Sequence, residues 1–231
     1  MKPYVICHMV TSLDDKVTGK YLARPEAASA IDIYYAINRK LTPDAFACGR
    51  VTMEGSFTDG FYPDLAPFAD SEVPYLDYVA DDTATFFAVA FDRRGRLGWQ
   101  TPSIVDDDPG YGGAHIIEVL TESVPAAYLA YLRGIGVSYI FGGEVELDLA
   151  YVLKKLERLF GIKKLLLEGG SIINGAFQRA DLIDEISLVV APVIGSAADK
   201  PLFMDSTLSD YTLADTKTYD GGVLWLNYRR K

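Results

Sequence analysis

Short apolar segments alternate with amphipathic segments along most of the chain. Runs that are rich in β-branched and aromatic residues lie at 4–10, 45–48, 86–91, 115–119, 137–141, 164–167 and 186–191. Segments with a helical spacing of apolar residues lie at 26–41, 124–134, 147–160 and 171–179. Because this alternation is typical of strand-helix-strand units, it predicts an α/β layer fold with a largely parallel central sheet.

Two regions depart from this alternation. Residues 211–229 predict two strands joined at Asp220-Gly221-Gly222, a hairpin signal that is typical of an antiparallel edge. Residues 55–82 contain glycines and prolines, but also the aromatic side chains Phe57, Phe61, Tyr62, Phe68 and Tyr75. This segment is too apolar for a disordered linker, so we expect a long ordered loop. Such a loop either forms one wall of a substrate pocket or packs for stability or a dimer contact.

Length and charge exclude several classes of protein. With 231 residues, 49% of them hydrophobic, the chain can bury a large core, and we expect one domain over residues 1–231. No segment approaches the ~20 apolar residues that span a bilayer. The N-terminus enters a strand without a cleavage-site pattern, so the expected compartment is the cytoplasm. The net charge of −10 argues against a general nucleic-acid or anionic-membrane surface.

Cysteine and histidine are too scarce to suggest metal chemistry. Cys7 and Cys48 both lie in apolar strand candidates, which indicates buried thiols rather than a disulfide or a metal pair. His8 and His115 are far apart, and no zinc-type cysteine spacing is present. The sequence also lacks a nucleophile elbow and a Walker-type phosphate loop, which removes the commonest hydrolase and NTPase functions.

One strand end is suited to a phosphate group. In KKLLLEGGSIINGA at 163–176, an apolar strand runs into Glu168, a glycine pair and the start of a helix. Gly169 and Gly170 lack a Cβ atom, so the backbone can bend sharply and approach a ligand closely. The first N–H groups of the helix would point outward at the positive end of its dipole: those of Ser171, Ile172 and Ile173. The alternative is a tight turn in which Ser171 acts only as the helix N-cap.

A second strand end carries an arginine. In AFACGRVTME at 45–54, an apolar strand ends in Gly49-Arg50 and then Thr52. Arginine presents a planar fork of donors suited to a phosphate monoester, the group that separates NADPH from NADH. The alternative is that Arg50 is a solvated cation and Thr52 a plain N-cap. Because two strand ends are suited to bind an anion, a dinucleotide is the favoured ligand. We expect the two turns to converge on one phosphorylated coenzyme. A basic cluster at Arg93, Arg94 and Arg96 is either solvated or helps Arg50 with the adenine end.

Four segments together resemble a known family. They are SLDDKVTG at 12–19, CGRVTME at 48–54, FDRRGRLGW at 91–99, and LLLEGGSIINGAFQRADLIDEISLVVAPVIG at 165–195. The chain resembles the reductase domain of riboflavin biosynthesis from about residue 4 to about residue 229. The resemblance implies a dihydrofolate-reductase-like three-layer α/β fold. It also implies an NADPH-dependent reductase that delivers hydride to a small heterocyclic or ribosylamine substrate, commonly as a homodimer.

The resemblance also assigns residues to the site. Thr52 and the run from Gly170 to Ala176 would contact NADPH, with Thr11 near the cofactor. Glu168 and Asp14 would lie in the substrate cleft. Lys40 aligns with the arginine that grips the substrate phosphate, which keeps the charge but loses the fork. The chain departs from the family pattern at two further positions, with Asp15 in place of a glycine and His8 in place of a lysine. These departures suggest that the substrate-binding end of the site differs from that of the family.

Two carboxylates are candidates for catalysis. Glu168 is expected either to orient the substrate and handle a proton, or to hydrogen-bond amides of its own turn. Asp32 lies on the predicted first helix, which carries the proton-handling acid in dihydrofolate reductases, although the register is off by about one residue. Two other functions stay open at this point: a dihydrofolate-type or pterin reductase, and a non-catalytic NADPH-binding module.

Overall fold

A computed structural model describes residues 1–231. The chain divides into two compact units, one formed by 1–3 with 43–165 and the other by 4–42 with 166–231. The expectation of a single domain over residues 1–231 stays a prediction. No helix in either unit is both long enough and apolar enough to cross a membrane.

The structure contains nine strands and five helices, which account for every element that the apolar pattern predicts. The strands are β1 (Tyr4–Thr11), β2 (Ala45–Gly49), β3 (Phe87–Phe91), β4 (His115–Leu120), β5 (Ser138–Phe141), β6 (Lys164–Leu167), β7 (Glu185–Val190), β8 (Tyr211–Thr218) and β9 (Leu224–Arg230). The helices are α1 (Pro25–Leu41), α2 (Arg50–Met53), α3 (Ala126–Ile135), α4 (Leu149–Phe160) and α5 (Ser171–Arg179). The predicted α/β fold with a mostly parallel sheet is confirmed.

In the first unit, the strands lie in the order β5-β4-β3-β2, and each neighbouring pair is parallel. Nearly every residue of these strands is buried, because a parallel sheet is covered on both faces.

Helix α4 of the first unit is capped at both ends. Its N-cap is Asp148, whose side chain accepts a hydrogen bond from the Tyr151 backbone N–H at 2.9 Å. The helix ends at Gly161, which adopts a left-handed conformation with φ 68°.

In the second unit, the strands lie in the order β6-β1-β7-β9-β8, and β6 contains the boundary between the units after Leu165. Strands β1 and β7 are parallel, whereas β9 is antiparallel to both β7 and β8. The predicted C-terminal hairpin is therefore confirmed. Helix α1 packs against this sheet through Ala27, Ala30 and Ile37, which contribute to one apolar cluster with Val189 and Ala191.

The loop at 55–82 is ordered, as its aromatic content predicts. Phe57 lies 6.1 Å from the Tyr111 ring, and Phe68 meets Tyr131 edge-on at 5.9 Å. The hydroxyl group of Tyr75 donates to the Val124 carbonyl at 2.8 Å. These contacts lie within the first unit and show that Phe57, Phe68 and Tyr75 anchor the loop to it, whereas Phe61 and Tyr62 are exposed.

Both cysteines are buried thiols, as expected from their place in apolar strands. Burial raises the pKa of the Cys7 thiol, and the nearby Glu168 carboxylate adds to the shift. A thiol in that state is protonated and behaves as a small apolar side chain.

Candidate functional site

The turn after β2 places Arg50 at the first position of a helix. Gly49 is the N-cap of α2, with extended backbone angles, and Arg50 follows it directly. Helix α2 thus begins two residues earlier than the position of Thr52, so the idea that Thr52 is an N-cap is wrong. The Arg50 Nη1 atom donates to Glu54 Oε2 at 2.6 Å, one helical turn away. This ion pair restrains the guanidinium group of Arg50.

Four arginine side chains surround one cavity in the first unit. We call this cavity of about 320 Å³ the arginine cleft; its lining consists of Arg50, Phe91, Asp92, Arg93, Arg94 and Arg96. The sheet explains why these residues meet. Strands β2 and β3 are parallel neighbours with Gly49 opposite Phe91, so the residues that follow each strand emerge at the same edge.

Asp92 is the one carboxylate in the arginine cleft. It follows β3 directly and is only 1% exposed. One carboxylate oxygen, Oδ2, accepts hydrogen bonds from the backbone N–H groups of Arg96 and Leu97 and so closes the turn. The other oxygen, Oδ1, is buried and has no hydrogen-bond partner. Burial raises the pKa of Asp92, whereas the two N–H donors and the charge of Arg50 oppose that shift.

A second buried acid, Glu118, lies on the neighbouring strand β4. Its Oε1 atom accepts from the indole N–H of Trp99 and from the hydroxyl group of Tyr128 at 3.4 Å. Burial raises the pKa of Glu118 well above its usual range, and the negative charge of Asp92 adds to the effect. Burial thus favours the neutral form of Glu118 over its charged form. No sequence motif singles out Glu118, although a glutamate inside the apolar run HIIEVL is a signal for a buried acid.

The glycine turn lies in the second unit, between β6 and α5. Gly169 adopts φ 99°, a conformation that favours glycine, and Gly170 is the N-cap of α5. The idea that Ser171 is the N-cap is therefore wrong. Instead, its hydroxyl group donates to the Pro201 carbonyl at 2.5 Å. The Ile172 side chain is 70% exposed. Ile173 is half-buried.

Glu168 directly follows β6 and is oriented by a residue that no sequence motif singles out. Its side chain is 7% exposed. The Nδ2 atom of Asn38 donates to Glu168 Oε1 at 2.7 Å. Asn38 is itself buried on α1, on the face that carries Ala30 and Ile37. This helical spacing is the sequence signal for a buried Asn38, and a buried amide group needs a polar partner.

Three of the other predicted site residues of the second unit are more exposed than Glu168: Asp14, Asp32 and Lys40. Asp32 and Lys40 lie on the exposed side of α1. Asp14 Oδ1 accepts from the Ser12 hydroxyl group at 2.6 Å and from the Gly195 N–H at 2.7 Å, and these bonds lower the pKa of Asp14. Thr11 is buried at the end of β1. The roles assigned to these four residues stay predictions.

The local geometry of the arginine cleft fits a phosphorylated ligand. Guanidinium groups bind phosphate oxygens through paired charge-assisted hydrogen bonds. The residues present thus fit the phosphate-bearing half of a nucleotide cofactor.

Comparisons with known proteins agree with these features. The model of the RibD C-terminal domain family matches residues 89–225. A curated relative, the 2,5-diamino-6-ribosylamino-4(3H)-pyrimidinone 5′-phosphate reductase of Methanothermobacter thermautotrophicus, is 33% identical over 205 residues, which cover 89% of this chain and 85% of that protein.

Solved structures show the same fold. The chain matches a pyrimidine reductase-like protein from Corynebacterium diphtheriae with a TM-score of 0.70 and 17% identity, covering 99% of this chain and 92% of that one. It matches RibD of Acinetobacter baumannii with a TM-score of 0.67 and 21% identity, covering 100% of this chain but 58% of that one. These matches confirm the predicted dihydrofolate-reductase-like fold. Because the family model spans more than half of the chain and the archaeal relative spans most of it, this chain belongs to the RibD C-terminal domain family, the reductase domain of riboflavin biosynthesis.

Proposed function

We propose that this chain is an NADPH-dependent reductase that acts on a phosphorylated ribosylaminopyrimidine, such as 2,5-diamino-6-ribosylamino-4(3H)-pyrimidinone 5′-phosphate. The substrate class is taken from the name of the archaeal relative. The arginine cleft is the single observation that supports NADPH over NADH. Four guanidinium groups around one cavity suit the 2′-phosphate, which is the only group that distinguishes the two cofactors.

The proposed reaction needs a two-electron donor, an electrophilic carbon and a proton. The nicotinamide supplies the hydride when the cofactor is bound. A ribosylamine offers its C1′ atom as the acceptor once the sugar ring opens to a C=N form. Hydride adds to C1′, the electron pair of the C=N bond takes a proton at nitrogen, and the product carries an open-chain ribityl group. The chain must align the two reactants, exclude water and supply the proton.

In the second unit, Glu168 is the proposed residue on the substrate side. Its burial and its hydrogen bond from Asn38 fix one carboxylate oxygen in place, as positioning a substrate requires. Asp32 remains the second candidate for handling the proton. Lys40 and Asp14 remain proposed contacts to the substrate, with Lys40 placed on its phosphate.

The two strand-end turns are proposed to bind different parts of NADPH. In the first unit, Gly49, Arg50 and Thr52 would bind the 2′-phosphate end. In the second unit, the glycine pair and the first N–H groups of α5, those of Ser171, Ile172 and Ile173, would bind the pyrophosphate, and Thr11 would contact the cofactor. The Ser171 side chain already donates to Pro201, which leaves its backbone N–H as the group for the ligand.

Cofactor affinity tests this proposal directly. We expect the parent protein to bind NADPH more tightly than NADH in calorimetric titrations. Arg50→Ala should weaken NADPH binding by about tenfold to a hundredfold, because a charge-assisted hydrogen bond is lost, and should leave NADH binding unchanged. Arg158→Ala removes the same charge from an exposed position on α4 and serves as the control. Equal affinity of the parent for both cofactors would contradict the proposal.

The proposal also includes a cytoplasmic homodimer. Two buried thiols suit a reducing compartment. Strand β8 ends the strand order of the second unit, and nearly all of its residues are exposed. An unpaired strand edge is a surface on which a second chain can pack. Sedimentation of the purified protein should give twice the mass of one chain, and a monomer at micromolar concentration would remove the dimer from the proposal.

A further inference from the structure

Two buried acids of the first unit each have one oxygen without a hydrogen-bond partner. They are Asp92, which is 1% exposed, and Glu118, which is fully buried. The oxygens concerned are Asp92 Oδ1 and Glu118 Oε2. Because almost all buried polar atoms of a folded protein are hydrogen-bonded, two such oxygens on neighbouring strands need an explanation.

The strand register places the two acids on the same face of the sheet. In the parallel pair of β3 and β4, Ala90 lies opposite Glu118. Asp92 follows Ala90 by two residues and continues the ladder, because its N–H donates to the Val119 carbonyl at 3.2 Å. Side chains two residues apart along a strand point to the same face. The strand spacing and rise put the Cα atoms of Asp92 and Glu118 about 8 Å apart, so their side chains can meet.

The engaged oxygens of both acids lead to one segment, residues 92–97. We call this segment the arginine turn, because it carries three of the arginine side chains that line the cleft: Arg93, Arg94 and Arg96. Asp92 Oδ2 accepts from the Leu97 N–H at 2.8 Å. The Tyr128 hydroxyl group donates to the Leu97 carbonyl at 2.8 Å and lies 3.4 Å from Glu118 Oε1. The two acids thus support the arginine turn from the same face of the sheet.

The charges around the pair favour a proton on Glu118 rather than on Asp92. Burial raises the pKa of both acids. At Asp92 two backbone N–H donors and the charge of Arg50 oppose that shift, whereas at Glu118 the charge of Asp92 adds to it. Helix α3 contributes Tyr128 and Tyr131, and burial raises the pKa of both, so they stay neutral. The arginine turn contributes only guanidinium groups, which stay charged.

We propose that Asp92 and Glu118 share one proton, which joins their two unpartnered oxygens and holds the arginine turn in the form that lines the cleft. The Glu118 hydroxyl group donates and the Asp92 carboxylate accepts, so one charge-assisted hydrogen bond satisfies both oxygens. Glu118 is then a positioning residue that acts on the arginine cleft through Asp92. Its effect on cofactor binding rests on the proposed NADPH function, whereas the shared proton does not.

The pH dependence of stability tests the shared proton without any ligand. Glu118→Gln keeps an acceptor for Trp99 and offers Asp92 an N–H donor, but it binds no proton. Above the usual pKa of 4.5 the unfolded parent releases the Glu118 proton, whereas the folded parent keeps it. The parent should therefore lose stability relative to this variant as the pH rises. The ratio of their unfolding equilibrium constants in urea should change about tenfold between pH 5.5 and pH 6.5. An unchanged ratio would overturn the inference.

Two further variants assign this effect to the pair. Glu122→Gln makes the same substitution at an exposed position after β4, and its ratio to the parent should not change with pH. In an Asp92→Asn background the new amide group can donate to an ionised Glu118. There the effect of Glu118→Gln should change less than about threefold over the same pH interval. A tenfold change that persists in this background would mean that Glu118 keeps its proton without Asp92, and the sharing would be wrong.

Infrared difference spectra between the folded parent and Glu118→Gln at pH 6.5 detect the same proton directly. The parent should show the band of a protonated carboxyl group, and the variant should lack it. Loss of carboxylate bands instead would mean that both acids are ionised, as they would be around a bridging water molecule. That result would contradict the shared proton.

Calorimetric titration tests the positioning role. Glu118→Met removes the donor at similar volume, so it should weaken NADPH binding about tenfold and leave NADH binding unchanged. Glu118→Gln should stay within about threefold of the parent. If glutamine weakens NADPH binding as much as methionine does, the hydrogen bond does not position the cleft. If the parent binds both cofactors equally, the proposed function is wrong, and the unfolding experiment still decides whether the proton is shared.

Discussion

At the scale of single residues, buried polar groups show which protonation states this chain can hold. His8 lies on β1, fully buried and stacked on the Tyr34 ring at 4.4 Å. The Tyr34 carbonyl can only accept, so the His8 Nε2 atom at 3.1 Å carries the ring proton. The Nδ1 atom then accepts from the Ser187 hydroxyl group at 3.0 Å, whose oxygen accepts in turn from Trp225 at 2.9 Å. A neutral imidazole thus satisfies every partner.

This arrangement predicts how stability depends on pH. Burial lowers the pKa of His8 from 6.5 to about 4, so the unfolded chain binds a proton more readily than the folded one between those values. The free energy of unfolding should therefore fall as the pH drops through this window, by up to about 3 kcal/mol from His8 alone. Urea denaturation at pH 7.5 and pH 4.5 would measure the change. His8→Gln should show a shallower pH dependence, and an unchanged slope would argue against this explanation.

At the scale of elements, helices and strands could be predicted from apolar spacing, whereas their ends could not. The N-caps of α2 and α5 are Gly49 and Gly170, rather than Thr52 and Ser171. The Ser171 hydroxyl group bonds to Pro201, 30 residues away, and no local pattern reveals such a partner. The hydrogen bond between Asn38 and Glu168 could not be predicted for the same reason, because the two residues lie 130 positions apart in the sequence. The glycine and arginine turns could be found because their residues are contiguous in sequence.

Packing of α5 gives a prediction at this scale. A Cβ atom added to Gly175 would overlap the backbone of Met204, including its carbonyl oxygen. Gly175→Ala should therefore destabilise the protein by about 1 to 3 kcal/mol, because α5 and its neighbour must separate. Gly134→Ala makes the same change on α3, where the nearest atom lies at an ordinary 3.7 Å. There the helix propensity of alanine should give a gain of about 0.5 to 1 kcal/mol. Equal effects in thermal denaturation would mean that α5 does not pack as described.

At the scale of the whole molecule, the net charge and the proposed ligand oppose one another. The chain carries a net charge of −10, which repels an anionic cofactor. Arg50, Arg93, Arg94 and Arg96 lie together in one cleft and supply local positive charge. Binding would then depend on short-range contacts rather than on the overall field. Family membership gives the reaction type, but the identity of the hydride acceptor depends on side-chain contacts to the substrate, which the sequence alone does not define.

The most direct test of the account is the consumption of NADPH in the presence of 2,5-diamino-6-ribosylamino-4(3H)-pyrimidinone 5′-phosphate, followed by the loss of nicotinamide absorbance. The account predicts that the cofactor is oxidised only when this substrate is present. At equal, limiting cofactor concentrations the rate should be higher with NADPH than with NADH, and Arg50→Ala should abolish this difference. The archaeal relative, assayed alongside, shows that the substrate is competent. If that relative turns over and this chain oxidises neither cofactor, the proposed function is contradicted.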